Sequence, residues 1–175
     1  MNRGIILDRD GTLTELHDGH APWYLHDLHL TPFARAAVEL ARNLGYLTFI
    51  ATNQPDVGGE LFVQDLFKMN DYLKTELQVT DILCATTRDD NRNYKPAPGM
   101  LETFIDRYDL DRSASFMIGD TWKDIEAGHR AKLTTILVGP NWDPPVDQFV
   151  RRPDLFARDV LDAVQYIQEI YNEVR

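Results

Sequence analysis

Residues 5 to 13 read Ile5-Ile6-Leu7-Asp8-Arg9-Asp10-Gly11-Thr12-Leu13, an apolar run that delivers two aspartates into a glycine turn. Side chains alternate at the end of a strand, so Asp8 and Asp10 are expected to face one point while Arg9 points away. Two converging carboxylates are costly unless a cation lies between them or one of them carries a proton. Both arrangements suit phosphoryl transfer. The alternative is an ordinary strand that ends in an Asp-Gly turn.

The composition is that of an ordinary globular chain and predicts one domain over residues 1–175. The formal net charge of -10 disfavours a nucleic-acid partner, which needs clustered Lys and Arg, and also docking on anionic lipid. No signal peptide or membrane-spanning stretch is recognisable, so we expect a cytoplasmic protein, in the simplest case a monomer. Cys84 is the single cysteine, which excludes an intrachain disulfide.

Short β-type runs alternate with helical patterns along the chain, which predicts an α/β fold. The predicted strands are Ile5–Leu7, Leu47–Ala51, Ile82–Ala85, Ser115–Ile118 and Thr135–Val138. Predicted helices begin at Thr31-Pro32, near Val63, after Pro98, near Trp122 and near Asp159. The Thr31 hydroxyl is expected to cap the first of them. Together these elements predict three layers, with a parallel sheet between helices on both faces.

Two segments depart from this alternation. Residues 13–30 are polar and too long for a tight β–α connection, which predicts a flap over a site. Residues 140–175 combine a proline-rich segment with a C-terminal helix. No other insertion is long enough to form a cap domain, so an open site is expected. The flap contains His17, His20, His26 and His29, for which a solvated loop is favoured over a second metal site or a pH-sensitive lid.

Three further polar segments follow predicted strands. They read Ala51-Thr52-Asn53-Gln54-Pro55, Tyr94-Lys95-Pro96 and Gly119-Asp120-Thr121-Trp122-Lys123-Asp124. Ligands bind beyond the carboxyl ends of the strands in an open parallel sheet. Asp8, Asp10, Thr52 and Asp120 all fall at that edge, and Lys95 lies in a connection at the same edge. The shared edge predicts a single site.

This set of motifs resembles the haloacid dehalogenase (HAD) superfamily of phosphatases. Three motifs are similar to those of the capless branch of heptose-1,7-bisphosphate and histidinol-phosphate phosphatases. They are Asp-Arg-Asp-Gly-Thr (8–12), Thr-Asn-Gln (52–54) and Lys-Pro-x-Pro-Gly-Met (95–100). The resemblance covers residues 5–138. It implies a Rossmann-like HAD-type sheet without a large cap and a phosphomonoesterase that acts on a small phosphorylated metabolite. A sugar phosphate such as heptose 1,7-bisphosphate is the first expectation, with histidinol phosphate or another small phosphomonoester as the alternative.

The resemblance also implies a role for each motif residue. Asp8 is the nucleophile that forms an aspartyl-phosphate, and Asp10 protonates the leaving oxygen before it takes a proton from the attacking water. Mg²⁺ is held by Asp8, the backbone carbonyl of Asp10 and Asp120, with Asp124 as a supporting carboxylate. This donor set agrees with the preference of Mg²⁺ for one or two carboxylates together with phosphate oxygens and water.

Phosphate binding is carried over in the same way. Thr52 and the amide of Asn53 hold phosphate oxygens, and Lys95 neutralises charge on the phosphoryl group and on Asp8. Phosphoryl transfer has a loose transition state, so positioning and charge neutralisation supply most of the catalysis. Asp8 is expected to stay ionised beside Mg²⁺ and Lys95.

The chain departs from the branch in its zinc loop. Many relatives carry Cys-x-His and a later Cys-x-Cys before the Lys-Pro motif. Cys84 remains here, but Thr86 replaces the histidine, and Asn91 and Asn93 replace the later cysteines. One ligand cannot make a closed tetrahedral site, so zinc is not expected, and Cys84 is interpreted as a small buried residue at a strand end.

Two further departures affect the expected substrate. Tyr94 stands where the branch often has arginine, and Thr121 stands where the heptose enzymes tend to have lysine. Both changes remove positive charge that could hold a second phosphate. Two alternatives from other classes are a receiver-like phospho-acceptor, which also combines acids, Thr and Lys on a parallel sheet, and a catalytically idle binding protein.

Overall fold

The computed structural model describes residues 1–16, 18–59, 61–140 and 142–173, so His17 of the flap lies outside the described residues. Six parallel strands form one sheet in the order β3-β2-β1-β4-β5-β6. They are β1 (Gly4–Leu7), β2 (Leu47–Asn53), β3 (Asp81–Ala85), β4 (Phe116–Gly119), β5 (Thr134–Val138) and β6 (Leu155–Ala157). The first five confirm the predicted runs. The sixth was not predicted, because a run of three residues is too short to show a strand period.

Helices cover both faces of the sheet. They are α1 (Ala34–Asn43), α2 (Val63–Leu77), α3 (Gly99–Tyr108), α4 (Trp122–Arg130) and α5 (Val160–Glu173). Apolar side chains of α1, α2 and α5 share one buried cluster with one face of the sheet. Those of α3 and α4 share a second cluster with the other face. The predicted three-layer α/β architecture is confirmed.

The start of α1 differs from the prediction. The residue that precedes the helix is Phe33, and no side chain caps it. The Thr31 hydroxyl instead donates to the backbone carbonyl of Thr12 at 3.2 Å. The prediction of a Thr31 cap is therefore wrong, because this hydroxyl ties the entry of α1 to the turn that follows β1.

The strand order reverses at β1, which lies between β2 and β4. The chain first builds outward to β3 and then returns to add β4, β5 and β6 on the other side. Such a reversal leaves a crevice at the carboxyl ends of the central strands, where ligands of open α/β sheets bind. The turns after β1, β2 and β4 all open into this crevice.

Among the described residues, no helix is both long enough and apolar enough to cross a membrane.

Candidate active site

A cleft of about 170 Å³ lies at the carboxyl ends of β1 and β2. The predicted site residues Asp8, Asp10, Thr52, Asn53, Lys95 and Asp124 line it, together with Ala21, Tyr94, Thr121 and Lys123. Asp120 lies beside them, since its carboxylate belongs to one group with those of Asp8 and Asp124. The fold thus brings together every residue that the motifs singled out, from four separate stretches of the chain.

Lys95 is the cation at the centre of this cleft. Its ammonium donates to Asp8 Oδ1, to Asp124 Oδ1 and to the backbone carbonyl of Ala51, each at 2.6 Å. Burial lowers the pKa of Lys95, but the charges of Asp124 and Asp8 outweigh it and hold the pKa above its usual value. The side chain is therefore a fixed positive charge against the proposed nucleophile.

Asp8 has the opposite balance. Burial raises the pKa of its carboxyl well above the ordinary value; Lys95 opposes this shift, and the charges of Asp124, Asp120 and Asp10 reinforce it. Lys95 favours the ionised form of Asp8, and a second positive charge beside the carboxylate would favour that form further. A bound divalent cation would supply that charge.

Three carboxylates supply a place for such a cation. One oxygen each from Asp8, Asp120 and Asp124 lie within 4.8 Å of one another. Three negative charges against the single ammonium of Lys95 leave two negative charges without a counter-charge from that lysine. Burial, with the charge of Asp124, also raises the pKa of Asp120 to about 6. A donor set made only of carboxylate oxygens fits a hard divalent cation such as Mg²⁺.

Both oxygens of Asp124 already accept hydrogen bonds from the protein, and only Oδ1, with a single donor, has a lone pair left for a cation. Oδ1 accepts from Lys95, while Oδ2 accepts from the backbone amide of Thr121 at 3.0 Å and from its hydroxyl at 2.7 Å. The Thr121 contacts form a capping box at the start of α4. This engagement of both oxygens agrees with a supporting rather than a direct position.

Gly11 lets the turn after β1 approach the turn after β4. Its φ is +87°, and a β-carbon there would overlap the carboxylate of Asp120. The Thr12 hydroxyl lies 3.4 Å from Asp120 Oδ1 on the same side. A glycine at this position is therefore required for Asp120 to reach the neighbourhood of Asp8.

Asp10 lies among hydrogen-bond donors. Oδ1 accepts from Arg9 Nε at 2.8 Å and from the Thr14 hydroxyl at 3.0 Å. Oδ2 accepts from Gln54 Nε2 at 2.6 Å, and the Thr52 hydroxyl lies 3.5 Å away. Arg9 does not line the cleft, but its long side chain lies against the neighbouring carboxylate, a contact that strand alternation does not predict.

Gln54 and Thr14 are the other contacts that sequence reasoning missed. Gln54 is buried and also donates to the Thr52 hydroxyl at 2.8 Å, so one amide group links Asp10 to the end of β2. Thr14 forms a bridge with Asp10 across the turn. The Thr-Asn-Gln motif contained the first signal, but the motif does not reveal which carboxylate the glutamine reaches.

Asn53 has a different contact from the one expected of a phosphate-binding side chain. Its amide nitrogen donates to the Lys95 carbonyl and its amide oxygen accepts from the Lys95 backbone amide, both at 2.9 Å. The side chain therefore fastens the Lys95 loop to the end of β2. Both polar atoms of this side chain are occupied by the Lys95 backbone.

The loop before Lys95 is organised by the carboxylate of Asp90. Asp90 accepts from the backbone amides of Arg92 and Asn93 at 3.2 and 3.0 Å, and from Asn93 Nδ2 at 2.8 Å. These bonds, led by the one from the Asn93 side chain, lower the pKa of the half-buried Asp90 carboxyl. Cys84 lies on β3, where its sulfur accepts from Asn70 Nδ2 at 3.3 Å.

The flap is tied at its base and reaches the cleft at Ala21. Thr14 pairs with Leu30, and the Glu15 amide donates to the His29 carbonyl, so the two ends of residues 13–30 run side by side. His20 stacks on Trp23 with ring centroids 4.5 Å apart, and Trp23 donates to Asp56 Oδ2 at 3.4 Å.

Two cations flank Tyr94 at the mouth of the cleft. Arg88 Nη1 donates to the Tyr94 hydroxyl at 3.0 Å. The ammonium of Lys123 lies 5.7 Å from the Tyr94 ring centroid on the cleft side. Positive charge that the sequence lacks at positions 94 and 121 is therefore provided by neighbouring positions.

Comparison with known proteins gives consistent matches. Residues 93–163 match the family model described as HAD-hydrolase-like. The chain is 34% identical to D-glycero-D-manno-heptose-1,7-bisphosphate 7-phosphatase of Chlorobaculum tepidum, with 91% of each chain covered. It is 31% identical to D-glycero-beta-D-manno-heptose-1,7-bisphosphate 7-phosphatase of Pasteurella multocida, with 96% of this chain and 98% of that protein covered.

Solved structures show the same fold. The structure of D,D-heptose 1,7-bisphosphate phosphatase from B. bronchiseptica, complexed with magnesium and phosphate, superimposes with a TM-score of 0.82 at 21% identity, covering 96% of this chain and 99% of that one. A putative HAD-like phosphatase from Mesorhizobium loti gives a TM-score of 0.75 at 26% identity, covering 95% and 87%. The family relationship expected from the motifs is confirmed: this chain belongs to the HAD superfamily of phosphatases.

Proposed function

We propose that this protein is a Mg²⁺-dependent phosphomonoesterase that acts through an aspartyl-phosphate on Asp8. The observation that carries the proposal is the contact between Asp8 Oδ1 and Lys95 Nζ at 2.6 Å, beside a group of three carboxylates. A carboxylate that is both held by an ammonium and placed next to a cation site is an oriented nucleophile. The relatives named as phosphatases support the same assignment.

The chain's own residues provide the remaining chemistry. Asp8 attacks phosphorus, while Lys95, the Thr52 hydroxyl and the Asn53 amide neutralise and orient the phosphoryl oxygens. Asp10 delivers a proton to the leaving oxygen and later accepts one from the water that hydrolyses the aspartyl-phosphate. A magnesium ion held by Asp8, Asp120 and the backbone carbonyl of Asp10, with Asp124 supporting, would offset the charge of the phosphoryl group.

We infer a small phosphorylated metabolite as the substrate, with heptose 1,7-bisphosphate as the first candidate. The relatives carry that name, and Lys123 supplies positive charge at the mouth of the cleft. A second phosphate on the substrate would meet this charge. Histidinol phosphate has one phosphate and a cationic end, which such a mouth would favour less.

Steady-state phosphate release from heptose 1,7-bisphosphate, histidinol phosphate and p-nitrophenyl phosphate tests both levels of the proposal. Many phosphates per chain are expected, and removal of Mg²⁺ with EDTA is expected to stop release. Accumulation of about one phosphate per chain would instead indicate a phospho-acceptor, and activity unchanged by EDTA would contradict the metal assignment.

Lys123→Met sharpens the substrate assignment. We expect it to raise KM for the bisphosphate several-fold, since one ion pair at a partly solvated mouth contributes about 1 kcal/mol, and to leave KM for p-nitrophenyl phosphate unchanged. Lys68→Met, at an exposed ion pair on α2, is the matched control. Equal effects on both substrates would contradict a second phosphate at the mouth.

A further inference from the structure

Arg9 is an unusual residue behind the cleft. Its side chain is 0% exposed, although it carries a permanent charge. Its Nε donates to Asp10 Oδ1 at 2.8 Å. The terminal nitrogens Nη1 and Nη2 have no hydrogen-bond partner among the residues that the structure describes. A group with five donors is therefore buried for the sake of one contact.

Stability does not explain such a contact. Removal of a guanidinium from water costs several kcal/mol, and a buried ion pair repays that cost only when its remaining donors are also satisfied. Apolar residues of similar volume in place of a buried ion pair are often neutral or stabilising. Arg9 therefore points to a function that an apolar side chain could not perform.

The geometry at Asp10 shows what the contact does. A carboxylate oxygen has two lone pairs, and both pairs of Oδ1 are used by Arg9 Nε and the Thr14 hydroxyl. Oδ2 has one close donor, Gln54 Nε2, while the Thr52 hydroxyl lies at the limit of hydrogen bonding, 3.5 Å away. Oδ2 is thus the oxygen with capacity left to exchange a proton.

We propose that Arg9 is a positioning residue: with Thr14 it occupies Oδ1 of Asp10, fixes the rotamer of that carboxylate and leaves Oδ2 as the oxygen that gives and takes the proton. The inference rests on the proposed function, because it assigns a role to a neighbour of the acid/base residue. It concerns only Arg9 Nε, so the terminal nitrogens and the charge are dispensable.

Two substitutions separate the donor from the charge. Arg9→Met removes both; Arg9→Gln restores a donor, because the Nε2 of glutamine is as many bonds from Cα as the Nε of arginine. For an alkyl phosphate, which needs a proton on its leaving oxygen, we expect Arg9→Met to lower kcat/KM roughly tenfold to a hundredfold, the scale of a small misplacement of a catalytic group. Arg9→Gln is expected to retain most of the activity.

The leaving group gives a readout that a purely structural role would not move. With p-nitrophenyl phosphate, whose leaving group needs little protonation, the loss in Arg9→Met is expected to be much smaller. In an Asp10→Asn background, Arg9→Met is expected to cause no further loss, since the residue it positions no longer transfers a proton. Arg112→Met, at the ion pair with Glu102 near the other edge of the sheet, is the matched control.

The outcomes are decisive in either direction. The proposal is overturned if Arg9→Met loses activity equally with both substrates, adds its full effect to Asp10→Asn, or keeps full activity with the alkyl phosphate. Should Arg9→Met fail to fold, Thr14→Val removes the other donor to Oδ1 and is expected to show the same dependence on the leaving group. Failure of the wild-type chain to hydrolyse p-nitrophenyl phosphate would refute the proposed function itself, a result that no Arg9 variant can mimic.

Discussion

Asp8 and Asp10 are separated by one residue, yet their surroundings differ in kind. Asp8 lies with two other carboxylates around one ammonium, an environment with more negative than positive charge. Asp10 lies among donors from Arg9, Thr14 and Gln54. The first environment favours an added cation or protons, whereas the second is already supplied with donors by the protein.

This difference shows how one residue type can take two roles in one site. In the proposed mechanism, environment rather than identity decides which carboxyl attacks and which handles the proton, as in other enzymes with two carboxylates. The residues around Asp8 serve charge neutralisation, whereas those around Asp10 serve to orient its carboxylate.

The largest effect is expected from Asp8→Asn. The change removes the nucleophile and should lower phosphate release at least about a thousandfold, as loss of a nucleophile does elsewhere. The fold should persist, because the amide fills the same volume. Phosphate release and thermal unfolding of the same preparation measure the two effects. Asp111→Asn, at the opposite edge of the sheet where its carboxylate accepts from Ser113, should change neither.

Asp10→Asn should have the next largest effect, and its size should depend on the substrate. General acid–base catalysis contributes about 10²- to 10⁴-fold, so the loss in kcat/KM for an alkyl phosphate should fall in that range. A substrate with a good leaving group should lose much less. Comparable losses for Asp8→Asn with both substrates provide the contrast, and equal losses for Asp10→Asn would remove the distinction between the two aspartates.

Stability of the metal-free protein should depend on pH through the Asp8 side. The pKa of Asp120 is raised to about 6 and that of Asp8 is also raised, so the folded chain binds protons that the unfolded chain has already lost. The free energy of unfolding should therefore fall as pH rises from about 4 to about 7. Thermal unfolding in EDTA measures this slope.

Added Mg²⁺ should oppose that trend, with greater stabilisation at pH 7.5 than at pH 5, since protons compete for the same oxygens. Asp120→Asn should flatten the dependence in EDTA. An unfolding temperature that rises with pH in the metal-free protein would show that these carboxyls are not the source of the effect.

Cys84→Ser should have the smallest effect. Burial raises the pKa of the thiol, so it is not a reactive thiolate, and its sulfur contacts Asn70 on the Asp10 side of the sheet. A serine hydroxyl can accept the same bond from Asn70. Unchanged kcat/KM with both classes of leaving group is the expected result; a selective loss with the alkyl phosphate would extend the surroundings of Asp10 as far as β3.

Sequence patterns predicted the fold well because most of its helices and strands show an apolar periodicity or residues typical of their ends. The α2 bounds, Val63 to Leu77, agree with the predicted helix, and the five longer strands agree with apolar runs. The short β6 was missed, and the Thr31 cap was wrong because the hydroxyl bonds to the Thr12 carbonyl rather than to the helix.

The residues of the site likewise include some that could be predicted from the sequence and some that could not. Motif residues such as Asp8 and Lys95 could be predicted to meet, since parallel strands deliver their ends to one edge. Arg9 and Gln54 could not, because alternation along a strand gives the direction of Cβ and not the destination of a long side chain. For the same reason, Lys123 and Arg88 restore positive charge beside Tyr94 that the motif positions alone suggested was lost.

Asp124 contacts both Thr121 and Lys95, which affects how substitutions at this position are interpreted. The Asp124 carboxylate accepts from the Thr121 hydroxyl at the start of α4 through Oδ2 and from the Lys95 ammonium through Oδ1. The start of the helix and the position of the ammonium therefore depend on the same side chain. If α4 starts incorrectly, the Lys95 ammonium also loses its contact with Asp124. An inactive Asp124 variant therefore loses both the start of α4 and the contact with Lys95. Substitutions at Thr121 or at Lys95 separate the two effects.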